Sequence, residues 1–339
     1  MVRIQGLSHF KHLFFKTGYI ILLIMANSPK LNAIILAAGK GTRMKSDRLK
    51  VLHHVAGKPI LAYVIEAVST IASKSFVVVG HQADDVKTQF KSYDCEFVEQ
   101  PQQLGTGHAV QQVIPYINNK EQSHTIILAG DCPLIQESTL RSLLNHHNQS
   151  NSAATILTTH MPNPQGYGRM LRSKNGSVIG IKEHKDCNEK ELAITEINSG
   201  IYVFNTSLLL SYISELQSNN SQQEYYLTDI IHILKEKNHL ISAVVTPDHQ
   251  EIIGINTRND LAKSNKVIFN RNNQIHMKNG VTLIDPDTTF IDSSVSIKQD
   301  TIIHPFSIIS GNTTIGTHCN IGPFVEILDQ TIDNNQHIK

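Results

Sequence analysis

Charge of one sign is missing from this sequence: 30 Lys and Arg stand against 29 Asp and Glu. That balance leaves no basic excess of the kind that neutralises nucleic-acid phosphates, and no acidic tail stands in its place. Charged residues as a group are also scarce, at 17% against about 25% in an average soluble domain, so Asn and Ser must cover much of the surface. Metal-ligand spacings are absent too. Cys95, Cys132, Cys187 and Cys319 form no CxxC or Cys/His set, which argues against a disulfide framework or a zinc site and for free thiols in a reducing cytoplasm. None of the 18 histidines stands in HExxH, and His53-His54 and His146-His147 are adjacent pairs, not i, i+4 pairs on one helical face.

A long apolar run is lacking as well. The run Tyr19 to Met25 follows a basic stretch containing Arg3, Lys11 and Lys16, but it falls short of the roughly 20 residues of a membrane span. Residues 1–25 read as a weak signal sequence without a clear A-x-A cleavage site, or as upstream sequence preceding a start at Met25; the second reading is favoured. What is present is a chain of 339 residues, 40% of them apolar, enough for a sizeable core and about two domains.

From Leu31 to about Ile255, apolar runs of strand length alternate with amphipathic helical stretches, the pattern of an α/β domain with a largely parallel sheet. Ala33–Ala37, Phe76–Val79 and Thr125–Ala129 are apolar almost throughout and read as strands buried on both faces. Further strands are expected at Thr155–Thr158, Ile201–Phe204 and Ala243–Val245, and a helix from Ile60 to about Thr70. Past Asn259 the pattern changes. A helix is expected from Asp260 to Asn270, with Arg271–Gln274 as a polar interruption. Then Ile291, Ile297, Ile303, Ile309, Ile315, Ile321 and Ile327 recur every six residues. A 3.6-residue helix cannot hold that register on one face, whereas a left-handed parallel β-helix with six residues per flat side can. The repeat runs out near Leu328, leaving about three coils. So small a stack needs the first domain or other chains to cover it. The expected order is thus an N-terminal extension (1–25), a Rossmann-like α/β domain (26–258), a helical linker (259–280) and a short β-helix (281–339).

In an open α/β sheet, ligands collect beyond the carboxyl ends of the strands. The first strand leads into Leu36–Met44, LAAGKGTRM, a glycine turn that can present backbone N–H groups to a phosphate or a base edge. It is neither GxGxxG, which needs glycine at Met44, nor a P-loop, which needs glycine at Ile34. Lys50 follows in KVLHHVAGKPI, and then come QLGTGHA (103–109), AGDCPL (129–134), GYGR (166–169), EHKD (183–186), EINSGIY (196–202), EYYLTDI (224–230) and GIN (254–256). In that order the motifs resemble the sugar-1-phosphate nucleotidylyltransferases, and among them the bacterial bifunctional N-acetylglucosamine-1-phosphate uridylyltransferases/glucosamine-1-phosphate acetyltransferases. The resemblance covers about residues 31–328.

The chemistry agrees with the resemblance. A sugar 1-phosphate is already an anionic nucleophile near neutral pH, so nucleotidyl transfer needs no general base. It needs relief of repulsion between two polyanions, from cationic clamps and a metal ion. The resemblance implies that Arg43 and Lys50 contact phosphates and that Asp131 and Asn256 hold Mg2+, a hard ion that keeps few protein oxygens. It implies further that Leu36, Ala37, Ala38, Gly39, Gln100, Gly105 and Thr106 read uracil and ribose, and that Gly168, Glu183 and Asn198 contact the N-acetylglucosamine. Taken singly, Asp131 reads as a turn residue, Lys50 as a surface lysine, Asn256 as a helix N-cap and Cys132 as a small buried filler. Two departures from the family pattern stand out. Leu49 replaces a usual proline and is expected to loosen the loop that presents Lys50, and Ala129 replaces a frequent Tyr or Asn.

The implied protein is a cytoplasmic, Mg2+-dependent enzyme. It converts UTP and N-acetylglucosamine 1-phosphate to UDP-N-acetylglucosamine, a precursor of peptidoglycan and lipopolysaccharide. It engages no nucleic acid or membrane and forms a homo-oligomer, a trimer by resemblance. The acetyltransferase residues of the family come after this sequence stops, so that second activity is expected to be absent. The alternatives are the same transfer to another sugar 1-phosphate, and a non-catalytic relative that binds sugar nucleotide or joins oligomers.

Overall fold

The computed structural model describes residues 30–117 and 123–339; the expectations for residues 1–25 lie outside the described residues. The central sheet has nine strands: β1 (Lys30–Leu36), β2 (Lys74–Val79), β3 (Glu96–Glu99), β4 (Ser123–Ala129), β5 (Ala154–His160), β6 (Arg169–Arg172), β7 (Val178–Lys182), β8 (Glu196–Asn205) and β9 (Ile241–Val245). Their order is β9-β5-β8-β4-β1-β2-β3, with the β6–β7 hairpin attached to β8. All neighbours along that path are parallel except β8, which runs against both β4 and β5.

The non-alternating runs have a direct physical cause. Ala33, Ile35, Val77, Val79, Ile126 and Leu128 point into one core, while Ile34, Phe76, Val78 and Ile127 point into another on the opposite face. A strand sandwiched between two cores has no polar face to show. The helix Ile60–Ser69 begins where expected and covers the first of these cores.

The linker helix departs from expectation. It runs unbroken from Arg258 to Lys278, straight through Arg271–Gln274. Two asparagines of that stretch face protein instead of ending the helix: Asn273 is fully buried and donates from Nδ2 to the carbonyls of Pro286 and Thr289, both at 2.9 Å. Asn272 donates to the carbonyl of Ile291 at 2.8 Å. The helix is thereby pinned to the β-helix by amides that satisfy carbonyls at the coil corners.

In the β-helix, the seven isoleucines of the repeat are all buried around one axis. The repeat also continues beyond Leu328. After Ile327 one position is dropped, Ile332 takes the next inward place, and the last strand, His337–Ile338, pairs with Asn320–Ile321. The stack holds three complete coils and one further strand. A second periodic feature lies two residues before the first six of these isoleucines, where small side chains are buried at the turns: Thr289, Val295, Thr301, Ser307, Thr313 and Cys319. The cysteine is one member of that series. The β-helix leans on the first domain, as Ser293 N donates to the Ala56 carbonyl at 3.2 Å and its hydroxyl meets Tyr63 Oη at 2.9 Å.

Candidate active site

The ends of β1 and β4 lie side by side, with Leu36 opposite Ala129, so the glycine turn and Asp131 leave the sheet together. The Gly130 N–H donates to the Leu36 carbonyl at 2.9 Å and closes the gap between them. Gly41 has φ +64°, and a Cβ there would stand 2.6 Å from Lys50 Cβ; only glycine permits both the left-handed turn and the close passage of the lysine. Leu49 does not loosen the loop. It is buried at φ −57°, ψ 139°, a backbone state proline would also take, and it anchors the short turn Lys50–Leu52 by packing.

From the other side, the Ile255 N–H donates to the Asp131 carbonyl at 2.9 Å. Gly254 passes so close that a Cβ would lie 3.2 Å from Asp131 Oδ1. This brings Asn256 into place beside Asp131. It is not the helix N-cap: that role falls to Thr257, which forms a reciprocal capping box with Asp260. Asn256 Oδ1 is left to accept from Lys50 Nζ at 3.0 Å and from Arg43 Nη2 at 2.9 Å. Lys50 Nζ also forms an ion pair with Asp131 Oδ2. A carboxylate, an amide oxygen, an ammonium and a guanidinium, drawn from four separate segments, meet within hydrogen-bonding distance.

Two members of this polar group, Lys50 and Asp131, line a pocket of about 300 Å³; Arg43 and Asn256 stand behind them, outside its lining. Leu36, Ala37, Ala38, Gly39, Lys50, Gln100, Gly105, Thr106 and Asp131 all line it. Val51, Gln103, Ala109, Ala129 and Glu224 line it too, without having been singled out as site residues. Gln103 and Glu224 stood inside recognised motifs, but only the fold shows that they face the same space. Gln100 is buried, its amide donating to the Gly105 carbonyl at 3.0 Å and meeting His108 Nδ1 at 3.0 Å. Gly105 has φ +111°, and a Cβ would meet the Tyr225 carbonyl at 2.6 Å. Thr106 Oγ1 accepts from the Leu227 N–H at 3.0 Å. The segment 224–227 is thus locked onto the turn 104–107.

Gly168, Glu183 and Asn198 form a second group, which does not line that pocket. The Asn198 N–H donates to the Gly168 carbonyl at 2.9 Å. A Cβ on Gly168 would lie 3.5 Å from both carboxylate oxygens of Glu183. Burial pushes the Glu183 carboxyl above the usual range; a hydrogen bond from the Thr228 hydroxyl at 3.2 Å opposes the shift, and Asp229 and Asp186 add to it. Asn198 Nδ2 donates to Tyr202 Oη at 2.7 Å, and burial with the nearby Glu183 charge holds the Tyr202 phenol well above its ordinary value. The fold therefore adds Tyr202 and Thr228 to the residues singled out by motif. Between the two groups lies Tyr167, whose phenol burial and the neighbouring Cys132 and Asp131 push up to about 12. Cys132 is buried, its thiol pushed well above the usual range by burial and by Asp131.

Among the described residues, no three His, Cys, Asp or Glu side chains gather as a metal cluster. No helix among them is long and apolar enough to cross a membrane.

Residues 33–187 match the family described as the MobA-like NTP transferase domain, and residues 294–329 match the bacterial transferase hexapeptide family of six repeats. The chain is 46% identical over 311 residues to the bifunctional protein GlmU of Geobacillus sp. (strain WCH70), covering 91% of this chain and 67% of that protein. It is 46% identical over 308 residues to the bifunctional protein GlmU of Clostridium botulinum (strain Eklund 17B / Type B), with the same coverage of 91% and 67%. A crystal structure from Bacillus anthracis, described as a glucose-1-phosphate thymidylyltransferase in complex with sucrose, superposes with a TM-score of 0.57 at 20% identity, over 70% of this chain and 94% of that one. At that identity it shows the fold alone.

Proposed function

The chain belongs to the family of the bifunctional GlmU proteins, and from that premise we propose that it transfers UMP from UTP to N-acetylglucosamine 1-phosphate. A phosphate oxygen of the sugar 1-phosphate attacks the α-phosphorus of UTP. The bond from that phosphorus to the bridging oxygen breaks, and pyrophosphate leaves with the electron pair. The nucleophile arrives deprotonated, so no side chain is required as a base.

The observation that carries this reading is the meeting of Lys50, Arg43, Asp131 and Asn256 beside the glycine-turn pocket. Arg43 and Lys50 are assigned to the phosphates, where their charge offsets what builds up around phosphorus. Leu36–Gly39, Gln100, Gly105 and Thr106 are assigned to uracil and ribose. Gly168, Glu183 and Asn198 are assigned to the sugar, whose hydroxyl and acetamido groups can satisfy a buried carboxylate and amide; a ligand lacking them leaves those groups unpaired.

Asp131 and Asn256 suit Mg2+: both offer hard oxygen atoms, and both already direct them at one cationic atom, Lys50 Nζ. When bound there, the ion would supply Lewis-acid neutralisation of phosphate charge. Lys50 would turn from Asp131 toward the nucleotide.

The test is pyrophosphate release from UTP by the purified protein with and without N-acetylglucosamine 1-phosphate, repeated with other sugar 1-phosphates. Release that depends on the N-acetyl sugar is expected. Equal release with glucose 1-phosphate would remove the sugar assignment, and no release with any sugar 1-phosphate would remove the enzyme.

A further inference from the structure

We infer that Arg169 is a positioning residue for the sugar half of the site, a clasp holding the turn 166–168 against the segment that carries Glu183; the inference rests on the function proposed above. Arg169 is only 1% exposed and is the bulkiest of the fully buried side chains. Its guanidinium makes no ion pair with a carboxylate among the described residues. It donates to the carbonyl of Tyr167, to the carbonyl of Leu192 at 3.4 Å and to His184 Nδ1 at 3.5 Å. Its Nε is buried without a partner. A cation withdrawn from water and given only neutral acceptors is penalised, and an apolar side chain of similar volume would fill the space with less penalty. Filling space is therefore a poor account of this residue.

The rigid fork accomplishes what an apolar side chain cannot: it fixes three stretches of chain at once. Tyr167 immediately precedes Gly168, His184 immediately follows Glu183, and Leu192 ends the short helix Glu189–Leu192. Gly168 in turn receives the Asn198 N–H at 2.9 Å. The spacing among the Gly168 backbone, the Glu183 carboxylate and Asn198 thus passes through one guanidinium. Slack in the clasp would displace the sugar contacts and leave the pocket lined by Gln100 and Thr106 as it is.

Arg169→Lys and Arg169→Gln, assayed with each substrate varied in turn, test this. Lysine keeps the charge, but its ammonium cannot span three acceptors. Both variants are expected to lose about ten- to a hundredfold in kcat/KM for N-acetylglucosamine 1-phosphate, with the KM for UTP unchanged. Wild-type sugar kinetics in Arg169→Lys would overturn the inference, and so would an equal loss toward both substrates, which is what general loosening of the fold produces. Should the Arg169 variants not fold, His184→Leu, which removes one acceptor from a half-buried position, carries the test. A smaller rise in the sugar-phosphate KM alone is expected, and no change would overturn the clasp. A wild-type protein without sugar-dependent turnover is a different result, and it would defeat the proposed function itself.

Discussion

In the central sheet the strands Lys30–Leu36, Lys74–Val79 and Ser123–Ala129 are held from above and below by two separate cores, and no two of them bury the same set of side chains. In the β-helix each flat side after the first, which carries Leu283, offers an inward isoleucine to a single axis, and each coil repeats the last. The first arrangement spends its variety at the strand ends, where loops of different length carry Asp131, Lys50 and Asn256 to one spot. The second leaves little room for convergent chemistry, because any side chain on a flat side has near copies of its own surroundings above and below. Removing a site residue from the sheet domain should therefore cost activity without stability, and removing a repeat residue should do the reverse.

The contrast is most sharply tested at Asp131. Asp131→Ala is expected to lower turnover roughly 10²–10³-fold or more with an unchanged melting temperature, read by pyrophosphate release and calorimetry on the same preparation. Near wild-type turnover in the presence of Mg2+ would break the metal assignment. Its counterpart in the solenoid is Ile309→Ala. Deleting this fully buried side chain is expected to cost about 2–5 kcal/mol in denaturant unfolding, while turnover per folded molecule stays level.

A smaller effect belongs to the far end of the sheet. His147 is buried against His124, its Nδ1 facing Thr155 Oγ1 at 2.8 Å, and burial holds its imidazole down to about 3. Between an unfolded value near 6.5 and that depressed one, the unfolded chain takes up a proton that the folded chain refuses. The group's support of the fold is whole above about pH 6.5 and falls with pH at up to about 1.4 kcal/mol per unit. His147→Gln should flatten the dependence of melting temperature on pH in that window; an unchanged slope would assign it to other groups. The smallest change is expected where the two regions join. Thr257→Ala, which removes the cap of the linker helix, should cost about 1 kcal/mol.

The same contrast explains what could be read from the residues alone. Ala33–Ala37 and Phe76–Val79 were legible because burial on both faces leaves an unmixed apolar run, and the isoleucine period was legible because a repeat is its own control. The strands Glu96–Glu99, Arg169–Arg172 and Val178–Lys182 were not, being short and rich in charged residues or glycine; their pairing partners decide them. Asn272 and Asn273 read as a break because their hydrogen-bond acceptors lie across the interface. In the site, motif order supplied the residues but not their grouping. Nothing in the local sequence tells that Asn256 Oδ1 is shared by Lys50 and Arg43, or that Thr228 reaches Glu183 from 45 positions away.

The linker helix sets a further condition on the molecule. Its cap, Thr257, adjoins Asn256, and Asn272 and Asn273 near its other end grip the solenoid. At 1.5 Å and 100° per residue, its 21 residues make a rod about 30 Å long with a fixed phase between its ends. Insertion or loss of a single residue would swing the grip through about 100° while leaving composition almost untouched. The count of residues between cap and grip is thus as strict a specification as the identity of any ligand.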